Sequence, residues 1–235
     1  MGRPSPDGGE LARGMPADRI HSGQLGRSGW WQCTVVGVDA RPVQFALVWS
    51  DRHPDGVHVR LDSHDADVAI GDDAVCVATY NEAEQVTHLQ VTTRAALKAP
   101  PLWFAEIRES TARPPAVHLM AFTGHGQAPG TLVDQVDAAN LPVGSDDQLG
   151  AVRWYPATGE VDQIYVQPQW RRRSVAGALI AAAATLSTAR GWPRLWGDGQ
   201  RTELGEQWRA TNPWRNRAAD LTHVAPPMTP PQAPS

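Results

Sequence analysis

The sequence predicts an α+β fold: a small antiparallel β-barrel-like module, then a mixed sheet with its helices in the C-terminal part. Two observations carry this expectation. Across residues 30–94, five short apolar runs follow one another between turn residues. Across residues 160–191, a strand pattern gives way to Pro168, three arginines and a long alanine-rich stretch. The first pattern has the spacing of a small all-β unit, and the second that of a strand feeding a helix.

The five runs are WWQCTVVGVD, VQFALVWSD, VHVRLDS, DAVCVATY and VTHLQVTTR, broken at 39–42, 53–56, 70–73 and 81–84. They define a β module over 29–97. Residues 1–28 are rich in Gly, Pro, Arg and Asp and read as disordered. Residues 98–222 hold the helix-bearing domain, and the tail over 223–235 is proline-rich and polyproline-like. Within the second domain, 102–109 reads as a short helix ended by Pro114 and Pro115. Residues 117–122 and 149–155 read as strands, and 131–137 fits helix or strand. Residues 156–159 form a hairpin turn into a returning strand over 161–166. A helix over 175–190 stops at Gly191, and a second runs over 202–210 with Thr202 as N-cap. No internal repeat is visible.

Charge narrows the partners. The net charge is -4, and residues 39–98 carry ten acidic against five basic side chains. Such a surface repels phosphates, so the β module points to protein contact or self-association rather than nucleic acid. No signal-peptide core or run of about 18 apolar residues occurs, which predicts a soluble, cytoplasmic protein without a membrane partner. Cys33 and Cys76 lie in strand runs without C-x-x-C spacing and read as buried reduced thiols. His64 sits among Asp62, Asp65 and Asp67 with the spacing of an acidic loop, and no metal site is expected. Trp192, Trp196, Trp208 and Trp214 read as core packing.

The chemistry concentrates in 160–191. A strand running through a loop of small residues into a helix N-terminus offers free N–H groups and a favourable dipole to an anion. After a strand ending at Val166 and Pro168 comes Arg171-Arg172-Arg173-Ser174-Val175-Ala176. This segment resembles the cofactor motif of the GNAT superfamily of acyl-CoA N-acyltransferases, a strand, often a Pro, then [Q/R]-x-x-G-x-[G/A] opening a helix. Ser174 stands where that family usually has glycine. The resemblance implies a GNAT-like mixed sheet, acetyl-CoA as co-substrate and an amine-bearing acceptor. It also implies that backbone groups of Arg171, Arg172, Arg173, Ser174, Val175 and Ala176 cradle the CoA pyrophosphate. The strand edge at Tyr165 and Val166 would pair with the pantetheine amides. Glu160 or Asp162 would act as the base, since some members carry theirs at this spacing. No tyrosine follows Tyr165 to serve as general acid. The competing expectation is a non-catalytic GNAT-like or β-barrel protein acting as a binding or assembly module. A plain β-barrel reading predicts that residues 149–191 form no splayed parallel strand pair beside the helix.

Overall fold

A computed structural model describes residues 29–211 and 218–224; the readings for 1–28, Trp214 and 225–235 lie outside them. All five apolar runs of the N-terminal module form strands: β1 (Gly29–Val36), β2 (Pro42–Ser50), β3 (His58–Asp62), β4 (Ala74–Tyr80) and β5 (Val86–Val91). Their order is β3-β1-β2-β4-β5, with β3 parallel to β1. The module is therefore an open mixed sheet, not an antiparallel barrel. The stretch around His64 is helix α1 (Ser63–Ile70) rather than a loop. Its Ala66 and Ile70 are buried against Trp31, Cys33 and Val48. That burial offsets the weak helix propensity of an acidic segment.

The second sheet contains β6 (Trp103–Glu109), β7 (Ala116–Phe122), β8 (Leu132–Val133), β9 (Gly150–Trp154), β10 (Glu160–Val166) and β11 (Trp196–Gly197), in the order β11-β10-β9-β7-β6-β8. The segment read as a short helix is thus strand β6, antiparallel to β7 throughout. Trp103 and Ala105 are buried on one face and Phe104 and Glu106 on the other. A run apolar on both faces carries no period to distinguish strand from helix. The ambiguous 131–137 resolves into β8 and helix α3 (Gln135–Ala139), which Asp134 caps by accepting from Val136 and Asp137 N–H groups. Helices α2 (Thr93–Ala96), α4 (Val175–Ala189) and α5 (Glu203–Thr211) complete the helical set. The first two residues assigned to the tail form β13 (His223–Val224), parallel to β12 (Gln200–Arg201).

The backbone contains a repeat that the sequence does not reveal. Each sheet is built by a hairpin, a third strand parallel to the first, a helix, a second hairpin and a terminal helix. The register agrees residue by residue. In the first sheet Tyr80 faces Val86, Thr79 faces His88 and Ala78 faces Leu89, with Thr87 as an extra bulged residue. In the second, Trp154 faces Val161, Arg153 faces Gln163 and Val152 faces Ile164, with Asp162 as the extra residue. Trp31 and Trp103 are counterparts, both buried, and their indole N–H groups donate to counterpart positions: Ser50 Oγ at 2.9 Å and Gly124 O at 3.0 Å.

Helix α4 joins the two halves. It packs on β2, β4 and β5 of the first sheet and on β7, β9 and β10 of the second. Twelve of its fifteen residues are buried, five of them alanine and one glycine. A helix enclosed on all sides must be apolar all round, and small side chains let two sheets approach it. One core cluster therefore runs from Trp30 and Phe45 through α4 to Val152 and Trp154. At the C-terminus of α4, Arg190 clamps the buried Glu106 with two hydrogen bonds of 2.5 Å. Among the described residues, no helix is long and apolar enough to cross a membrane.

Candidate functional site

The hairpin of β9 and β10 is tied to β11 by Gly159. Its φ is +76°, and a Cβ there would lie 2.2 Å from Arg194 O, so glycine lets the two segments meet. Trp196 N–H donates to Gly159 O at 3.0 Å, and β11 then runs parallel to β10 at Glu160 and Val161 alone. Beyond that point the strands part. This parallel pair opens beside α4, but β11 lies beyond residues 149–191, the stretch for which a plain β-barrel reading predicted no such pair.

The opening is a cleft between β10 and α5. One cavity of about 520 Å³ lies on the side of Tyr155, Glu160 and Asp162. Another of about 680 Å³ lies on the side of Tyr165, Val166 and the arginine turn. They share Ile164, Thr202, Gly205 and Trp208 as walls. The N-cap role of Thr202 is as expected, its hydroxyl accepting from Gly205 N–H at 3.1 Å.

The structure brings most of the expected binding residues to the larger cavity: Tyr165, Val166, Arg171, Arg172, Ser174, Val175 and Ala176 all line it. Among the described residues, no carboxylate does. Arg173 is not among the lining residues, and its guanidinium stacks on Trp170 at 5.1 Å. Arg171 Nε donates to Val166 O at 3.2 Å, which folds the turn back onto the strand. Ser174 has φ +58°, a left-handed conformation that favours glycine. Its C=O accepts from Ala178 N–H, but its side chain caps nothing. The N–H groups of Val175, Ala176 and Gly177 meet no acceptor among the described residues.

The edge of β10 is open at one point. Gln167 N–H donates to Leu149 O at 2.9 Å, so antiparallel alternation turns Tyr165 and Gln163 toward β9. Ile164 then presents both backbone groups to the cleft and Val166 its N–H, the Val166 C=O being taken by Arg171. No family model matches the chain, and neither a curated protein nor a solved structure matches it.

The two carboxylates proposed as base differ in their surroundings. Glu160 begins β10 and lines the smaller cavity. Asp162 is already engaged: it accepts from Arg153 Nη1 at 2.5 Å and from the Tyr155 hydroxyl at 2.9 Å. Arg153 also donates to Glu109 Oε2 at 2.9 Å. Burial works to lower the Arg153 pKa, but its bonds to Asp162, Glu109 and Tyr155 prevail and raise it. The hydrogen bonds of Arg153 and His118 hold the Glu109 carboxyl below its usual range. Sequence reasoning missed Glu109, His118, Arg153 and Tyr155 as a group. The one signal available was polar residues alternating with apolar ones at 153 and 155.

Elsewhere the cysteines are free and buried, Cys33 facing α1 and Cys76 facing α4. Burial pushes their thiols up to about 11 and about 12 respectively. Of the tryptophans expected in the core, Trp192 and Trp208 pack against it, whereas Trp196 is exposed.

Proposed function

We propose that the cleft binds an acyl-CoA and that the protein is an N-acyltransferase acting on a primary amine. The observation that carries this reading is the larger cavity, which combines an open strand edge, uncapped helix amides, two arginines and no carboxylate. Amides of Val175, Ala176 and Gly177 at the positive end of α4 suit a pyrophosphate. Arg171 and Arg172 add charge-assisted donors. The open backbone of Ile164 and the N–H of Val166 suit an amide-bearing arm.

The repeat supports the last point. The counterpart of Ile164 is Leu89, whose N–H donates to Gly130 O at 2.7 Å. An extended chain with amide groups thus occupies the equivalent edge in the first half. Gly130, with φ +87° and His88 packed where a Cβ would go, allows that close passage. On β10 the same edge faces the cleft.

Bound acyl-CoA would supply an activated thioester carbonyl. The residues of this chain hold its phosphates and arm, and Glu160 faces the side from which an acceptor enters. Titration calorimetry with acetyl-CoA tests the reading. Saturable binding is expected, weakened about tenfold in Arg172→Ala by loss of one charge-assisted bond. No heat at high micromolar acetyl-CoA would overturn it. The engagement of Asp162 with Arg153 favours a second reading, a protein that binds the cofactor without transfer. Binding without turnover across a panel of primary amines would support that reading.

A further inference from the structure

The two cavities of the cleft meet at a wall of Ile164, Thr202, Gly205 and Trp208. On the acyl-transfer reading, the arm of the bound acyl-CoA leaves the 171–176 turn and follows β10 from Val166 to Ile164, which brings its thioester to this wall. The acceptor reaches the same wall from the side of Glu160. The bond that breaks therefore lies between the two cavities. Its leaving group is a thiolate, and no tyrosine follows Tyr165 in the chain to meet it.

We infer that Thr202 is a catalytic residue of this transfer, its hydroxyl donating a hydrogen bond to the thioester sulfur as that atom becomes a thiolate. The inference rests on the acyl-transfer reading. Of the four wall residues, Thr202 alone carries a hydroxyl. Ile164 and Gly205 offer no side-chain donor, and Trp208 packs against the core. The Thr202 hydroxyl oxygen accepts from Gly205 N–H at 3.1 Å, and Thr202 C=O accepts from Glu206 N–H at 3.0 Å. These bonds hold the residue in place as the N-cap of α5. The hydroxyl hydrogen meets no acceptor among the described residues, so it is free to donate. Glycine at 205 keeps the approach open, since a Cβ there would already lie 3.4 Å from Thr202 Oγ1.

The step balances without taking a proton from Thr202. The lone pair of the neutral amine forms the C–N bond to the carbonyl carbon. The C–S bond breaks and its electron pair goes to sulfur. The surplus proton on nitrogen passes to water, while the hydroxyl hydrogen stays on Thr202 and bonds the sulfur. A hydrogen bond to an anion is stronger than one to a neutral thioester, so the bond strengthens as the thiolate departs. The positive end of α5 acts in the same sense. The other charges near Thr202 are held on each side of the cleft. Glu206 is paired with Arg201 and Arg209, and Glu203 lines neither cavity. Asp162 is paired with Arg153, Glu160 and Asp198 line the smaller cavity, and Arg171 and Arg172 line the larger. All of these stay the same when residue 202 alone is replaced.

The test uses the full chain with free CoA as probe, its thiol titrated by the ultraviolet absorbance of the thiolate. Cys33 and Cys76, pushed up to about 11 and about 12, stay protonated below that range. Bound CoA is expected to ionise at a lower pH than CoA in buffer, with about tenfold more thiolate at a given pH, the effect of one hydrogen bond to a charged group. Thr202→Val should remove most of that gain, and Thr202→Ser should keep it. A residue that only capped α5 would change helix content by circular dichroism and leave the bound thiol where it was. A wild-type thiol that ionises no more readily when bound than when free would overturn the inference, as would a folded Thr202→Val protein with an unchanged bound thiol. Calorimetry on the same samples separates the two claims. CoA binding with an unshifted thiol defeats the role of Thr202 alone, and no CoA binding at high micromolar concentration defeats the acyl-transfer reading and this inference with it.

Discussion

The first and second repeats share a register through their fifth strands and then diverge. After β5, Thr92 N–H donates to Val75 O, and after β10, Gln167 N–H makes the matching bond to Leu149 O. From there the first repeat makes the short helix α2 and passes directly into β6. The second makes one turn at Pro168–Trp170, then the arginine loop, then α4. The edge of β5 is filled by Gly130 and Thr131, while β10 keeps an open edge against a cleft. One backbone unit is thus used once to build the interior and once to border a cleft. The difference lies in where the chain goes next, not in the sheet.

The strongest way to break this comparison is at Glu106 and its counterpart Thr34. Glu106 is buried and held by Arg190 and Arg108, whereas Thr34 bonds only the exposed His58. Glu106→Ala should cost about 3–5 kcal/mol by leaving Arg190 unpaired, and Thr34→Ala less than about 1 kcal/mol. Urea denaturation of the two variants measures this, and equal costs would contradict the asymmetry. The pH dependence has a definite sign. Burial pushes the Glu106 pKa up, but hydrogen bonds from Arg190 and Arg108 prevail and hold it below 4.5. Its stabilising contribution is complete above that value and is lost as pH falls below it through the folded value. Glu106→Gln should flatten the acid limb of the stability curve.

A smaller test sharpens the equivalence itself. Trp31→Phe and Trp103→Phe each remove one buried indole hydrogen bond in the same structural position. Each should cost about 1–3 kcal/mol, with the two values close to one another. A thermal-unfolding comparison in which only one matters would deny that the repeats are stabilised alike.

The smallest expected effect concerns the loop found only in the second repeat. Ser174 sits at φ +58°, where a side chain is unfavourable. Ser174→Gly should stabilise the fold by about 1 kcal/mol at most, since glycine also gains freedom in the unfolded chain. A loss of stability would mean that the Ser174 side chain contributes a contact of its own.

Much of the architecture was legible where the cause is local. The five N-terminal strands, the hairpin at 156–159 and α4 with its stop at Gly191 all follow from alternation, turn residues and helix signals. So does the meeting of Tyr165, Val166 and the 171–176 turn, because strand, loop and helix start are contiguous in the chain. Glu160 and Asp162 were legible as carboxylates near the cleft, but the bond from Arg153 to Asp162 was not. It depends on β9 lying beside β10 and on the bulge that turns Asp162 toward it.

By itself, the sequence determined the elements with strong short-range patterns and the contiguity of strand, arginine turn and helix start over 160–191. Only the tertiary structure decided that 103–109 is a strand, that β3 lies parallel to β1, and that α1 forms from an acidic stretch. It alone shows that the two halves repeat and that Glu109, His118, Arg153, Tyr155 and Asp162 converge. The physical reason is common to all of these. Each depends on which face of a sheet α1, α3 or α4 covers, and that is settled by burial between residues far apart in the chain.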